Sequence, residues 1–408
     1  MGNIFQNYTS ESGIFKDKEA LRPAYVPAYL PHRTKQIKNL ASVLSPALKE
    51  ENPSNLFIYG KRGTGKTATV KYVSIELEAM CKKVGSKCTI VYINSEIFDT
   101  QYRVFAYLAR VFNKRVPMIG WPTDMVYSGF KDAVDTEKRC VIVILDEVDK
   151  LVSKGDEAIY NLMRVNNELN KARLSIMCIS NDLSFRALQD PDVLSLLSAE
   201  EIIFPLYDAY QLRDILEARV ETVFNVSALD DAVIPLCAAF AAREHEGDAG
   251  YALELLRLAG ELADHAKANK VMEAHLQFAS EMIEENRITE VVKTLPMQSK
   301  IILEAVIRLN NGNMKRRLHS GEVYDTYQVI CAQLGMGSLT QRRVTDLISE
   351  LDFLGLLNVK VVNRGRYGRT KEISLRVPAA YIQGALTADS ALETVPTVKL
   401  KAGEGIIW

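Results

Sequence analysis

Short, bulky apolar runs punctuate the first half of the chain: "LFIY" (56–59), "TIVYIN" (89–94), "CVIVILDEV" (140–148) and "LSIMCISN" (174–181). Near-continuous apolar runs of this length suit parallel strands buried on both faces. Between them the rhythm changes to helical spacing. "TKQIKNLASVLSPAL" is amphipathic, and "ATVKYVSIELEAM" carries Val70, Val73, Ile75 and Leu77 on an apolar side. Strand and helix in alternation predict a parallel sheet covered by helices. From about residue 207 the strand signals stop. "AYQLRDILEARVETVF", "DAVIPLCAAFAAREHE" and "DAGYALELLRLAGELADHAKAN" predict a small helical domain. "HLQFASEMIEENRITEVVKTL" leads as helix into a third module. There, "GEVYDTYQVICAQLG" and "SLTQRRVTDLISELDFLGLL" read as helices, and "NVKVVNRGRYGRTKEISLRV" as a hairpin turning around Gly365 and Gly368. Residues 1–20 are polar and expected to be loose. "LRPAYVPAYLPHR" (21–33) holds three prolines and reads as an extended arm. The boundaries that follow are an arm 1–20, an α/β domain 21–206, a helical domain 207–288, a third domain 289–380 and a weakly structured tail 381–408.

Composition narrows the class without deciding it. The 408 residues are 48% apolar and 25% charged, with net charge −1, ordinary for a globular chain. Six cysteines form no C-x-x-C pair, so a reduced, intracellular protein without a zinc site is expected. The N-terminus lacks a signal-peptide pattern, and no apolar run approaches membrane-spanning length, so a cytoplasmic, nucleoid-associated location without membrane contact is expected. Charge is unevenly placed. Residues 291–380 hold 14 Lys/Arg against 7 Asp/Glu, a net of +7, and the remainder 36 against 44, a net of −8. A basic module on an acidic body points to nucleic acid as its partner, a solvated charged surface being the plainer alternative.

The chemistry begins after the first strand. Gly60-Lys61-Arg62-Gly63-Thr64-Gly65-Lys66-Thr67 fits G-x-x-x-x-G-K-[ST] between a strand and a helix, the context a phosphate-binding loop needs. Its glycines let backbone N–H groups converge on an anion at the helix N-terminus. Lys66 is placed for the β/γ-phosphates and Thr67 for Mg²⁺. The run "VIVILDEVDKL" puts Asp146 and Glu147 at a strand end, where paired carboxylates are costly unless a cation or polarised water uses them. Asp146 reads as the Mg²⁺ partner and Glu147 as the residue orienting the attacking water. Asn181 closes the next strand, positioned to touch a γ-phosphate.

Loop, "LDEVDKL" and closing Asn together resemble an AAA+ ATPase. "YVPAYLPHRTKQI", "NSEIFDTQYRVFAYLA", "EEIIFPLYDAYQLRDILEARV" and "GDAGYALELLRLAGELA" narrow the resemblance to the archaeal origin-recognition/cell-division-control-six replication initiators, from about Leu21 to Val377. The resemblance implies an AAA+ parallel-sheet domain with a helical lid and a C-terminal winged helix. It implies ATP/ADP and Mg²⁺ as ligands, with Gly63, Thr64, Gly65, Lys66, Thr67 and Ala68 on the phosphates. Tyr25, Val26, Pro27 and Arg33 would lie around the adenine, and Tyr207 and Arg219 would face the nucleotide from the lid entry. By physical reasoning alone Tyr207 is a packing aromatic and Arg219 a surface charge. The family's DNA-touching insertion falls at "FNKRVPMIGWPTDMVYSGF" (112–130). Lys114 and Arg115 suit phosphates, while Met118, Ile119 and Trp121 either press into a widened groove or pack on the sheet. Implied partners are double-stranded origin DNA, a replicative helicase and a paralogous initiator at the same origin. Two departures stand out: relatives usually carry arginines where this chain has Gly250 and Asp192. Both losses remove charge that stabilises phosphoryl transfer, so slow or impaired hydrolysis is expected.

In the basic module, Ser338-Leu339-Thr340-Gln341-Arg342-Arg343 is expected to open a helix with Ser338 as its N-cap. Val344, Leu347, Ile348 and Leu351 mark its buried side. Thr340, Gln341, Arg342 and Arg343 then stand at the exposed end that helix-turn-helix proteins direct at bases, Arg342 or Arg343 taking a guanine edge or a phosphate. Arg364, Arg366, Tyr367 and Arg369 on the hairpin suit the DNA backbone or minor groove. Lys315, Arg316 and Arg317 read as a phosphate contact or solvated loop. Three functions remain open: an ATP-switched origin-binding initiator that helps recruit the helicase, an ATP-driven remodeller of clamp-loader or transposition-helper type, and a nucleotide-gated regulator whose winged helix docks protein.

Overall fold

The computed structural model describes residues 13–117, 119–152, 155, 157–182, 200–310, 316–363 and 369–387. The chain forms two compact units, residues 1–279 and 280–408. The helix Glu273–Thr294 begins in the first and ends in the second.

The first unit is built on a sheet of β1 (Leu56–Tyr59), β2 (Cys88–Asn94), β3 (Cys140–Asp146), β4 (Arg173–Ser180) and β5 (Glu200–Ile203). Their order is β2-β3-β4-β1-β5, and every pairing is parallel. Alternation along β1 sorts the core. Phe57 and Tyr59 join Val91, Ile93 and Leu145 beneath α3 (Gln101–Val111), α4 (Thr123–Val134) and the short helix Glu157–Arg164. Leu56 and Ile58 pack on the other face with Ile142 and Ile144, against α1 (Thr34–Leu44) and α2 (Lys66–Val84). Both faces are covered, so the strands can be apolar throughout. β5 is absent from the sequence reading. Its "EEII" exposes three of four residues, and it owes its place to pairing with β1 rather than to an apolar run.

After β5 the chain enters helices Ala209–Val223, Val233–Glu244 and Ala249–His265. Asp208 and Gln211 close a capping box on the first, and Asp248 caps the third by accepting from the Tyr251 N–H at 3.0 Å. The N-terminal arm corrects an expectation. Residues 1–20 were expected to be loose, and 1–12 lie outside the described residues, yet Ile14 is fully buried. Lys16 and Asp17 donate their N–H groups to the Val223 carbonyl at 2.8 and 3.1 Å, and Phe15 stacks on Phe224 at 5.2 Å. The arm is a strap fastened to the lid because its two apolar residues find a groove there.

The second unit has a helix, Met297–Asn310, that the sequence reading did not separate; its apolar residues run nearly all round, leaving no amphipathic rhythm. It packs with helices Ser320–Gln333 and Gln341–Phe353 and an antiparallel sheet of β6 (Leu318–His319), β7 (Leu357–Asn363) and β8 (Arg369–Leu375), ordered β6-β8-β7. A last helix, Ala379–Thr387, buries Ile382, Ala385 and Leu386 in this core. The tail expected from 381 therefore starts with structure, and residues 388–408 lie outside the described set.

Candidate nucleotide site and nucleic-acid surface

Every expected phosphate and metal residue comes from the carboxyl end of a strand or the start of α2, the edge where open α/β sheets bind ligands. β1 ends at Tyr59 and opens directly into the glycine loop. Gly63 and Gly65 have φ of +71° and +81°, a region that favours glycine. A Cβ on Gly63 would stand 1.8 Å from an Asp248 carboxylate oxygen, and one on Gly65 2.8 Å from the Tyr207 hydroxyl. The loop is thus a cradle that only glycine backbone leaves open. The Thr64 hydroxyl, fully buried, donates to the Lys61 carbonyl at 2.8 Å and braces the turn.

Lys66 is buried, and its ammonium donates to the Gly60 and Lys61 carbonyls at 2.6 and 2.8 Å and to Asn181 Oδ1 at 2.7 Å. Burial pushes its pKa down to about 8, against the pull of Asp146, Glu147, Asp149 and Asp248. The Thr67 hydroxyl donates to Asp146 Oδ2 at 2.8 Å, and the Tyr92 hydroxyl donates to the same oxygen at 2.5 Å. Burial first, then this carboxylate, pushes the Tyr92 phenol well above its ordinary range. Thr67 and Asp146 form the oxygen pair a hard cation such as Mg²⁺ takes. Glu147 follows β3 with φ of +56°, its N–H donating to Asp146 Oδ1 at 3.0 Å. A non-glycine residue held left-handed at such a corner is a frequent mark of a working site. Asp149 accepts from the Ser180 hydroxyl at 3.1 Å and from the Asn181 N–H at 3.4 Å, fixing the end of β4.

A cavity of about 410 Å³ runs from this cradle to the segment 22–31 and the lid. Tyr25, Pro27, Gly63, Thr64, Gly65, Lys66, Thr67, Ala68, Glu147, Asn181, Tyr207 and Arg219 all line it. At the far end the Arg219 guanidinium lies 4.9 Å from the Tyr25 ring, its pKa lowered by burial. The resemblance put Arg33 and Val26 beside the base; neither is among the residues that line the cavity. Val26 is half-buried in the segment 22–31 but is not part of the cavity lining. Arg33 is 1% exposed and lies behind the loop. Its guanidinium donates to the carbonyls of Thr64, His32 and Pro205 at 3.0, 3.2 and 2.7 Å and stacks 3.8 Å from the Tyr207 ring. Carbonyl acceptors need a fixed cation, and an arginine fork supplies one. Arg33 therefore ties the glycine loop to the lid entry. Sequence reasoning also missed the lid's contacts with the loop. Lys61 pairs with Glu246, and the Ala249 N–H donates to the Gly63 carbonyl at 3.1 Å. Gly250 lines the cavity without a side chain to offer it. Asp192 lies outside the described residues.

On the other expected surface, Lys114 and Arg115 are exposed and line a shallow cavity of about 580 Å³ between α3 and α4. Ile119 is 79% and Trp121 43% exposed rather than tucked on the sheet; Met118 lies outside the described residues. In the second unit Thr340, Gln341, Arg342 and Arg343 are exposed, while Val344, Leu347, Ile348 and Leu351 are buried. The helix cap is Thr340, whose hydroxyl accepts from the Arg343 N–H at 3.4 Å, not Ser338. Helical dihedrals start two residues later than the polar run suggests. Lys315, Arg364, Arg366 and Tyr367 lie outside the described residues, and Arg369 opens β8.

Comparison with known proteins follows the same plan. Residues 56–204 match the family model described as ATPase family associated with various cellular activities (AAA). Residues 213–281 match the Cdc6 AAA+ ATPase-type lid domain, and 290–385 the CDC6 C-terminal winged helix domain. The chain is 50% identical over 406 residues to the ORC1-type DNA replication protein of Thermococcus onnurineus, covering 98% of this chain and 97% of the relative. It is also 50% identical over 403 residues to ORC1-type DNA replication protein 1 of Methanosarcina mazei, covering 98% and 97%. The chain belongs to the ORC1-type DNA replication proteins. Among solved structures of this family, the Aeropyrum pernix ORC1 protein in complex with DNA superposes with a TM-score of 0.82 at 41% identity, covering 94% of this chain and 99% of that one. The ORC1-type fold accounts for the three parts in order: AAA sheet, lid and winged helix. No described helix of this ORC1-type chain is long and apolar enough to cross a membrane.

Proposed function

We propose that the protein is an ATP-binding DNA replication initiator that recognises origin duplex DNA. The observation that carries the reading is its likeness, over 94% of its length and at 41% identity, to an ORC1 protein solved on DNA. The winged helix would present Thr340, Gln341, Arg342 and Arg343 to base edges. The loop carrying Lys114, Arg115, Ile119 and Trp121 would add a second contact from the AAA domain. ATP or ADP would occupy the cavity of about 410 Å³, with Mg²⁺ on Thr67 and Asp146. A bound nucleotide would supply the phosphoryl group, and Mg²⁺ would supply charge that polarises it. This chain's residues would bind and orient: Lys66 would meet the β/γ oxygens, Glu147 would hold water at a carboxylate oxygen, and Asn181 would touch the terminal phosphate. Recruitment of a replicative helicase and pairing with a paralogous initiator complete the proposed role.

Footprinting on genomic DNA tests it. Protection of discrete duplex sites that weakens as salt rises is expected. Binding that ignores both sequence and salt would favour a protein-docking winged helix instead.

A further inference from the structure

Four cationic side chains line the nucleotide cavity: Arg22, Arg62, Lys66 and Arg219. Three are committed. Arg22 pairs with Glu19 at 3.0 Å, Arg219 lies over Tyr25, and Lys66 spends its three donors on two carbonyls and Asn181. Arg62, exposed on the glycine loop between Lys61 and Gly63, has no ion pair or hydrogen bond with any described residue. It also lines an adjoining cavity of about 490 Å³ together with Asn181 and the lid residues Glu244, Glu246 and Asp248. The guanidinium therefore stands on the wall between a phosphate cradle and an acidic rim. Asn181 is common to both cavities, which places that wall at the cradle's distal end, away from Tyr25 and Arg219.

We propose that Arg62 distinguishes a nucleoside triphosphate from a diphosphate, turning to the terminal phosphate when one is present and to the lid carboxylates when it is not. The inference rests on the nucleotide reading above. A third phosphate adds charge at the distal end. The lid has Gly250 there and supplies no cation, whereas a guanidinium offers a fork that matches two phosphate oxygens. Without that phosphate, the carboxylates that share the adjoining cavity with Arg62 are Glu244, Glu246 and Asp248. Glu246 already binds the neighbouring Lys61, so a second cation arriving at this rim would tighten the lid on the loop. The position carries information because one side chain has two mutually exclusive partners, one belonging to the ligand and one to the lid.

The test is calorimetric titration of the full-length protein, first stripped of co-purifying nucleotide, with Mg²⁺-ADP and with a non-hydrolysable Mg²⁺-ATP analogue. It compares the unmodified chain with Arg62→Ala, Arg62→Lys and, as a control, Lys66→Ala. Arg62→Ala is expected to weaken the triphosphate about tenfold or more while ADP changes less than twofold, and Arg62→Lys to recover part of the loss. Equal weakening of both nucleotides, or no change in either while Lys66→Ala abolishes both, overturns the assignment of Arg62 and leaves the nucleotide site standing. Failure of the unmodified chain to bind either nucleotide overturns both readings together. Arg62 is exposed, and an unchanged circular dichroism spectrum separates loss of contact from loss of fold.

Discussion

Lys66 shows what a single residue's environment decides. Its pKa is lowered to about 8 by burial, so the ammonium that should meet phosphate is partly lost in the alkaline range. The unfolded chain keeps that proton up to the ordinary lysine value of about 10.4, so this group's contribution to stability rises with pH between about 8 and 10.4. Nucleotide binding has the opposite dependence. A phosphate favours the charged form, so binding takes up a proton above pH 8 and affinity falls as pH rises further. Titration in buffers of different ionisation enthalpy reads that uptake directly. Lys66→Ala should abolish nucleotide binding but leave duplex binding largely intact. Arg342→Ala and Arg343→Ala should each weaken duplex binding by about 1–3 kcal/mol if they reach bases, with relaxed preference at one position. Unaltered affinity of both variants at moderate salt would count against the recognition helix as a reader. At this scale the sequence was legible where a motif predicts which side chains meet, as for Lys66 with Asn181 and Thr67 with Asp146. It was not legible for Arg33, whose acceptors are the Thr64 and Pro205 carbonyls, because backbone oxygens leave no trace in residue types.

Elements were readable when their own burial pattern was strong. β1, β3 and β4 are almost wholly buried and announce themselves as apolar runs. The helix Gln341–Phe353 shows its four buried positions at helical spacing. β5 and the strap 13–21 were unreadable because each depends on a partner far along the chain, β1 in one case and the end of helix Ala209–Val223 in the other. The junction of loop and lid is equally non-local. Gly247, with φ of +80°, would place a Cβ 2.2 Å from the Tyr207 carbonyl oxygen. Gly247→Ala should therefore displace the lid helix. The left-handed backbone alone costs roughly 1–2 kcal/mol, and the collision adds to it. A fall in melting temperature that nucleotide no longer corrects would be its signature. Ile14→Ala removes a fully buried anchor of the strap and should cost about 2–5 kcal/mol locally. Faster release of a fluorescent nucleotide in stopped flow is the expected consequence. An unchanged release rate would mean that the strap does not brace the adjoining segment 22–31, which lines the cavity.

For the whole molecule, slow turnover is the expectation that separates a switch from a motor. Gly250 offers no charge to a loose phosphoryl transition state, and an arginine acting on that state can contribute several orders of magnitude in rate. Purified protein should retain nucleotide and hydrolyse it very slowly in the steady state, with or without DNA. Brisk turnover by the unmodified chain, abolished by Glu147→Gln, would favour the remodeller.

The strap has one more consequence, and it concerns synthesis. Phe15 meets Phe224 across more than two hundred residues, so the first described stretch of chain to be made cannot find its seat until the lid entry exists. At about 5–20 residues per second that wait lasts on the order of 10–40 seconds. Throughout it, Ile14 and Phe15 are exposed to solvent and chaperones, and the segment 22–31 that walls the cavity lacks its anchor on the N-terminal side. Contacts this distant in sequence make folding slow. A nucleotide trapped at the moment of closure would then be a product of folding as much as of later exchange.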